Sequence, residues 1–164
     1  RKISIQKNPF NNFEEYDVYE LFKNAPSASD YPEENNILLL DNVNIVRYKN
    51  GGSEEKYDVV IKVFNNDGVD NYKEYQIPVD SNQSYVIEKA EVLKPNGSII
   101  PAESSGTQLV FPNLEINDAI HVSYKLKNYD YGTFAKDFTK NYYINYYTPC
   151  LISNFSLIVP STLF

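Results

Sequence analysis

The chain holds one cysteine and one histidine. Cys150 stands in YYTPCLI and His121 in AIHVSY. A thiol and an imidazole are the working pair of a cysteine hydrolase or transferase, in which a lowered thiol pKa or a neighbouring base makes the nucleophile. Such a thiol sits at a helix N-terminus or beside the imidazole. Cys150 instead follows Thr148-Pro149 and opens an apolar run that reads as a strand. In AIHVSYKL, Ile120, Val122, Tyr124 and Leu126 share one parity and form the expected core face. His121 shares the other parity with Ala119 and Ser123, so it is expected to face solvent or a covering segment. Nothing in the sequence brings the two groups together. The simpler reading is a small buried cysteine and a surface histidine.

Other constellations are weaker. NNDGVDNYKE has the glycine and glutamate spacing of a calcium loop, with Gly68 at its sixth position and Glu74 at its twelfth. The first position then falls on Val63, which cannot ligate a hard cation. A polar hairpin loop is the expectation there. Glu54 and Glu55 are neighbours on a strand, point to opposite faces, and make no glycosidase pair. The scattered carboxylates read as solvated surface. HExxH, CxxC, GxSxG and phosphate-cradling glycine loops are all absent. With one histidine and one cysteine, no zinc site or other cofactor site is expected. The Asn-x-Ser triplets at Asn82, Asn96 and Asn154 matter only in a chain secreted by a eukaryote.

Tyrosine is the abundant reactive type, at 15 residues. Tyr142, Tyr143, Tyr146 and Tyr147 cluster. Alternation sends Tyr142 and Tyr146 to one side, and Tyr143 and Tyr147 to the other. One pair can pack inward while the other forms an exposed platform for a sugar or a protein. These four are the candidate binding residues. Core packing with a covered edge is the alternative for them.

The elements that would position these groups are mostly strands. FEEYDVYELFKNAP (Phe13 to Pro26) carries acids early and Lys23 late, which suits a helix dipole. It predicts one short helix, capped by Asn11 or Asn12. From Asn36 onward the apolar pattern has period two. ILLLDNVNIVRY, KYDVVIKVF, YKEYQIPV, YVIEKAEVL, TQLVF, AIHVSYKL and LISNFSLIV are rich in β-branched and aromatic residues. KNGGSEE, NNDGVD, KPNGS and LEIND separate them as turns. Asn96-Gly97 predicts a type I′ hairpin between AEVLK and SIIPA. FAKDFTKNYYINYY reads as a long edge strand or as a loop followed by one. Roughly eight to ten short strands predict a mainly all-β chain, an antiparallel β-sandwich with a short N-terminal helix. No helical run lies between the strands, so a parallel doubly wound sheet is not expected. Residues 1–30 are expected to form an arm and 31–164 the sandwich domain.

The chain of 164 residues has a net charge of −7, with 42% hydrophobic and 23% charged residues. That composition suits a globular core. The charge argues against nucleic acid and against anionic lipid as partners. One cysteine permits no internal disulfide. No apolar run approaches the roughly 20 residues of a membrane-spanning helix, and no stretch of the given residues is expected to act as a signal peptide. The sequence has no methionine. It is therefore expected to be a fragment or processed form.

Four ordered segments carry a family resemblance: YPEENNILLLDNVNI, KAEVLKPNGSII, FPNLEINDAIHVSYKL and FSLIVP. Their order and spacing, from Tyr31 to Phe164, resemble a bacterial domain of unknown function that precedes transglutaminase-like cores. Where that family has Gly-Asp in the third segment, this chain has Asn117-Asp118. Asparagine also tolerates positive φ, so the turn is expected to survive. The resemblance implies a β-sandwich module of an exported, periplasmic or envelope protein of a Gram-negative bacterium. It implies a Cys-His-Asp triad, in that order, in a downstream papain-like core. Here His121 precedes Cys150, so no triad residue maps onto this chain. The expectation is a non-catalytic accessory domain whose partner is the downstream core of the same polypeptide. The alternative is a module that binds an envelope polysaccharide or protein.

Overall fold

The computed structural model describes residues 8–129, 139–143 and 147–161. They form nine strands in two sheets, with two short α-helices and two 3-10 turns. The six-stranded sheet has the order β5-β4-β8-β2-β1-β9. Its long members are β1 (Asn36–Arg47), β2 (Ser53–Val63), β4 (Gln83–Leu93) and β8 (Ala119–Asn128). β5 (Ile99–Pro101) and β9 (Ser153–Ile158) form its edges. The smaller sheet contains β3 (Glu74–Gln76), β7 (Gln108–Val110) and β6 (Glu103–Ser105), in that spatial order.

The mainly β class matches the period-two reading. One strand pair departs from the antiparallel expectation: β9 runs parallel to β1, with Asp41 opposite Ser153 and Val46 opposite Ile158. An isolated bridge from Leu38 to Cys150 extends that pairing. Alternation cannot distinguish the two directions, because both present side chains to the faces in turn.

The main core lies between the two sheets. Val59, Ile61, Val92, Ile120, Val122 and Tyr124 point from the large sheet toward Leu109 and Tyr75 of the small one. The β8 core face is thus the one its parity predicts. A second cluster occupies the opposite, back face. There Ile37, Leu39, Leu40, Val60 and Ala119 pack against Tyr16, Val18, Leu21 and Phe22 of the arm. Full burial of each such aliphatic side chain contributes about 1.5–3 kcal/mol. Covered on both faces, β1 is buried at every residue. That is why its first half reads as a continuous apolar run rather than an alternating one.

The arm differs from its predicted form. A 3-10 turn, Pro9–Asn12, comes first, and the helix α1 covers only Val18–Lys23. Asp17 rather than Asn11 or Asn12 caps it, accepting from the backbone N–H groups of Tyr19 and Glu20 at 3.1 Å. Asp17 offers a carboxylate oxygen to two orphan donors, and its charge suits the helix start. NNDGVDNYKE is also no hairpin loop. It folds as a second helix, α2 (Asn66–Tyr72), capped by Asn65 through the Gly68 N–H. Val69 and Tyr72 seat it on the main core. A helix does therefore stand between β2 and β3, without making the sheet parallel.

The KPNGS hairpin forms with the expected pairing, Val92 opposite Ile100 and Leu93 opposite Ile99. Its turn is not type I′, because only Gly97 has positive φ, at 84°. Pro95 fixes φ near −65° and imposes a type I turn, which Gly97 completes as a bulge. Asn117 has φ of 72°, so asparagine does supply the left-handed residue at that turn. Of FAKDFTKNYYINYY, only 139–143 and Tyr147 are described, and these carry no strand. None of the described helices is long and apolar enough to cross a membrane.

Candidate functional site

Below its apolar half, the back face of the large sheet turns polar. The register sets the pattern in rows across the strands. Glu91, His121, Val60 and Leu40 form the boundary row. Ser123, Asp58, Asn42 and Asn154 form the next, and Lys125, Lys56, Asn44 and Ser156 the one after. The arm bridges over these rows and leaves a cavity of about 790 Å³. Rings of Phe10, Phe13, Tyr16 and Tyr19 line its roof, with sheet side chains as its floor.

Most polar groups there are paired. Glu91 accepts from Tyr19 at 3.0 Å and faces His121 Nδ1 at 3.0 Å. A carboxylate only accepts, so Nδ1 carries a proton. Lys89 donates to the Tyr19 hydroxyl at 2.8 Å. Lys56 lies 3.6 Å from both Asp58 and Glu88, and Lys125 pairs with Glu88. Asn154 donates to Asn42 Oδ1 at 2.7 Å. Among the described residues, two buried side-chain atoms have no hydrogen-bond partner, His121 Nε2 and Asn44 Oδ1. His121 Nε2 comes only to 3.8 Å from Asp58 Oδ1. A buried polar atom left unsatisfied costs about 1–3 kcal/mol.

His121 is therefore no surface residue: it is 3% exposed. The covering-segment alternative for its parity is the correct one. Sequence reasoning missed the polar floor as a site. The signal was present in DNVN, SYK and EKYD, which alternate polar residues at positions the apolar rows leave free.

Asp58 is held below the usual carboxylate range. Burial opposes its ionisation, but His121, Ser123 and Lys56 around it more than offset that. A depressed folded-state pKa stabilises above the unfolded value near 3.9, and that stability is lost as pH falls through the folded value. Acid unfolding followed by circular dichroism is therefore expected to show less loss of stability below about pH 4 in Asp58→Asn than in the parent chain. Equal loss in both would show that Asp58 carries none of the acid sensitivity.

Cys150 lies on the other side of the sheet, half-buried against the main core. Its thiol donates to Ile152 O at 3.4 Å, and burial, helped by Asp41, raises its pKa. A raised pKa keeps the thiol protonated, the reverse of what a nucleophile needs. The structure does not join Cys150 to His121.

The tyrosine cluster divides. Tyr142 is an anchor: its hydroxyl lies 3.1 Å from Asp41 Oδ2 and 2.8 Å from Ser153 Oγ, and its ring packs on Phe155 at 5.0 Å. Burial pushes its phenol up to about 12, with Asp41 adding to the rise. Tyr143 and Tyr147 stand out at 72% and 108% exposure. Tyr146 lies outside the described residues. The reading of the carboxylates as solvated also needs correcting, because Asp41, Glu55 and Asp118 are buried. Glu55 is buried, and it pairs with Lys140 at 2.7 Å and accepts from Asn128 at 2.9 Å and from Tyr57. Cross-strand neighbours and the 139–143 segment cover its face, so it is matched rather than solvated. Among the described residues, no group of three or more His, Cys, Asp and Glu side chains is placed to hold a metal ion.

Fold and site define a mainly β module of two packed sheets with a polar, arm-covered floor. The chain belongs to the family described as DUF3857, a domain of unknown function with a solved structure, which matches residues 49–163. A crystal structure described as "a putative protease from Parabacteroides distasonis ATCC 8503" shares the fold, with a TM-score of 0.52 at 13% identity. The similarity covers 58% of this chain and 23% of that one, so this chain corresponds to under a quarter of that protein. Comparison with curated proteins finds no match.

Proposed function

We propose that this chain is a non-catalytic accessory module of an exported, envelope-associated bacterial protein whose transglutaminase-like, papain-fold core lies elsewhere in the polypeptide. The module supports that core or presents substrate to it. The separation of Cys150 and His121 to opposite faces of one sheet carries this reading, because no thiol–imidazole pair forms here. The family match and the larger protein sharing the fold support it. In the full gene product, Cys150→Ser is expected to leave thiol-dependent hydrolase or transferase activity within twofold of the parent. Loss of that activity in Cys150→Ser, or a full product with no thiol-dependent core, would overturn the proposal.

The exposure of Tyr143 and Tyr147 favours a second reading, a binding module for an envelope polysaccharide or protein. A planar aromatic surface suits either, since it offers apolar area with a polar tip. On a glycan array and in envelope pull-downs, the Tyr143→Ala/Tyr147→Ala double variant is expected to lose at least tenfold in signal. No binding by the parent chain would remove this reading.

A further inference from the structure

We propose that the cavity beneath the arm is a binding site for a neutral sugar of disaccharide size, one hydroxyl of which donates to Asn44 Oδ1. The first observation is a single buried acceptor. Asn44 is 3% exposed and lines the cavity, and among the described residues its Oδ1 has no hydrogen-bond partner. Its neighbours in the same row are already engaged. Lys56, opposite it on β2, lies 3.6 Å from both Asp58 and Glu88. Ser156, opposite it on β9, donates to Asn154 Oδ1 at 3.4 Å. A stranded buried acceptor is costly, so an occupant that donates there is favoured.

The second observation is charge. Asn44 and Lys56 stand one strand spacing apart, about 4.8 Å. A cationic donor at Asn44 would meet the Lys56 ammonium as a like charge across the strand pair. An anion finds no vacant cation either. Lys56 serves Asp58 and Glu88, Lys125 serves Glu88, and Lys89 donates to the Tyr19 hydroxyl. The His121 imidazole is held between Glu91 at 3.0 Å and Asp58 at 3.8 Å. The floor matches its own charges, so the occupant that fits is neutral.

The third observation is the pairing of an aromatic roof with a polar floor. Phe10 and Phe13 line the cavity with ring centres 5.7 Å apart and planes inclined at 54°. Tyr16 and Tyr19 continue that roof. A sugar ring presents C–H faces to the negative faces of aromatic rings. Its rim carries hydroxyls, each of which donates and accepts at one atom. A peptide divides those roles between N–H and C=O, and a purely apolar occupant would leave Asn44 unserved. The cavity of about 790 Å³ is within the usual size of a small-molecule site.

This site is distinct from the tyrosine platform, because neither Tyr143 nor Tyr147 lines the cavity. Cellobiose, maltose and diacetylchitobiose are the probes. Cationic chitobiose, anionic digalacturonate and a blocked neutral tetrapeptide are the controls. At least one probe is expected to give saturable heat in calorimetry and to shift the Asn44 side-chain amide resonance, with every control at least tenfold weaker. Asn44→Leu and Phe13→Ala should each weaken that probe at least fivefold. The Tyr143→Ala/Tyr147→Ala variant should bind it within twofold of the parent, which separates this site from the platform. Binding of no probe would leave only water at Asn44 and overturn the proposal. So would a control that binds as well as the probes, full affinity in Asn44→Leu or Phe13→Ala, or lost binding in the tyrosine double variant. Should Asn44→Leu fail to fold, the parent's Asn44 amide shift and the Phe13→Ala affinity decide the matter.

Discussion

Gly68→Ala is expected to lower the unfolding free energy by about 2–3 kcal/mol, the cost of forcing atoms into a filled space less the gain in helix propensity. In an exposed helix the same change stabilises, by about 0.5–1 kcal/mol, because glycine loses more backbone entropy on folding. Here the added methyl carbon would lie 2.2 Å from the carbonyl oxygen of Asn35 and 3.1 Å from its carbonyl carbon. That carbonyl cannot move aside cheaply. It accepts from Phe64 N at 2.8 Å, and the Asn35 side chain accepts from Asn65 at 2.7 Å. Relieving the clash means breaking the link between the β1 approach and β2, or lifting α2 off the core. Denaturant unfolding should show a lower midpoint with an unchanged slope. Asn66→Ala, on the exposed side of the same turn, should stay within about 0.5 kcal/mol of the parent. Equal stability in the Gly68 variant would mean that α2 does not press on Asn35.

Lys94→Met is expected to cost about 3 kcal/mol, because it leaves a buried carboxylate without its cation. Lys94 Nζ lies 2.7 Å from Asp118 Oδ2 and 2.8 Å from Glu115, and donates to Asn113 O at 2.6 Å. Asp118 is 2% exposed and also accepts from Glu115 N at 2.7 Å. Methionine keeps the apolar stem, so packing is largely preserved and the loss reports the charge. Adding Asp118→Asn to the variant should recover at least about 1 kcal/mol, since the stranded charge is then gone. A single variant as stable as the parent would show that the carboxylate finds water instead.

This ion pair joins two of the segments that carry the family resemblance. KAEVLKPNGSII contributes Lys94 at a hairpin, and FPNLEINDAIHVSYKL contributes Asp118 at a turn with Asn113 and Asn117 at positive φ. Each segment alone reads as a turn. Their mutual dependence is a tertiary fact, and no period along the chain encodes it.

The long strands, the core face of β8 and the AEVLK–SIIPA hairpin were legible because alternation and turn residues are local. The parallel placement of β9 was not, since strand direction depends on what lies beside it. The helix at Asn66–Tyr72 escaped because DG and NN are turn chemistry; a side-chain cap from Asn65 and two contacts with the core outweigh that propensity. At the candidate site, Cys150 was legible as a filler. His121 was not, because a polar residue on the non-core parity looks solvated until something covers it. The arm that does so lies far upstream in sequence.

The pairing of β9 with β1 also bears on how the chain reaches this state. β1 forms an antiparallel ladder with β2, its immediate successor, but its other flank waits for residues near Ser153. Until they arrive, a long and largely apolar strand presents a row of open N–H and C=O groups. Such an edge recruits other chains, and distant pairings close slowly. Refolding at raised protein concentration should therefore lose material to aggregation through β1 before the sheet is complete. A faster supply of β9 would shorten that interval of vulnerability.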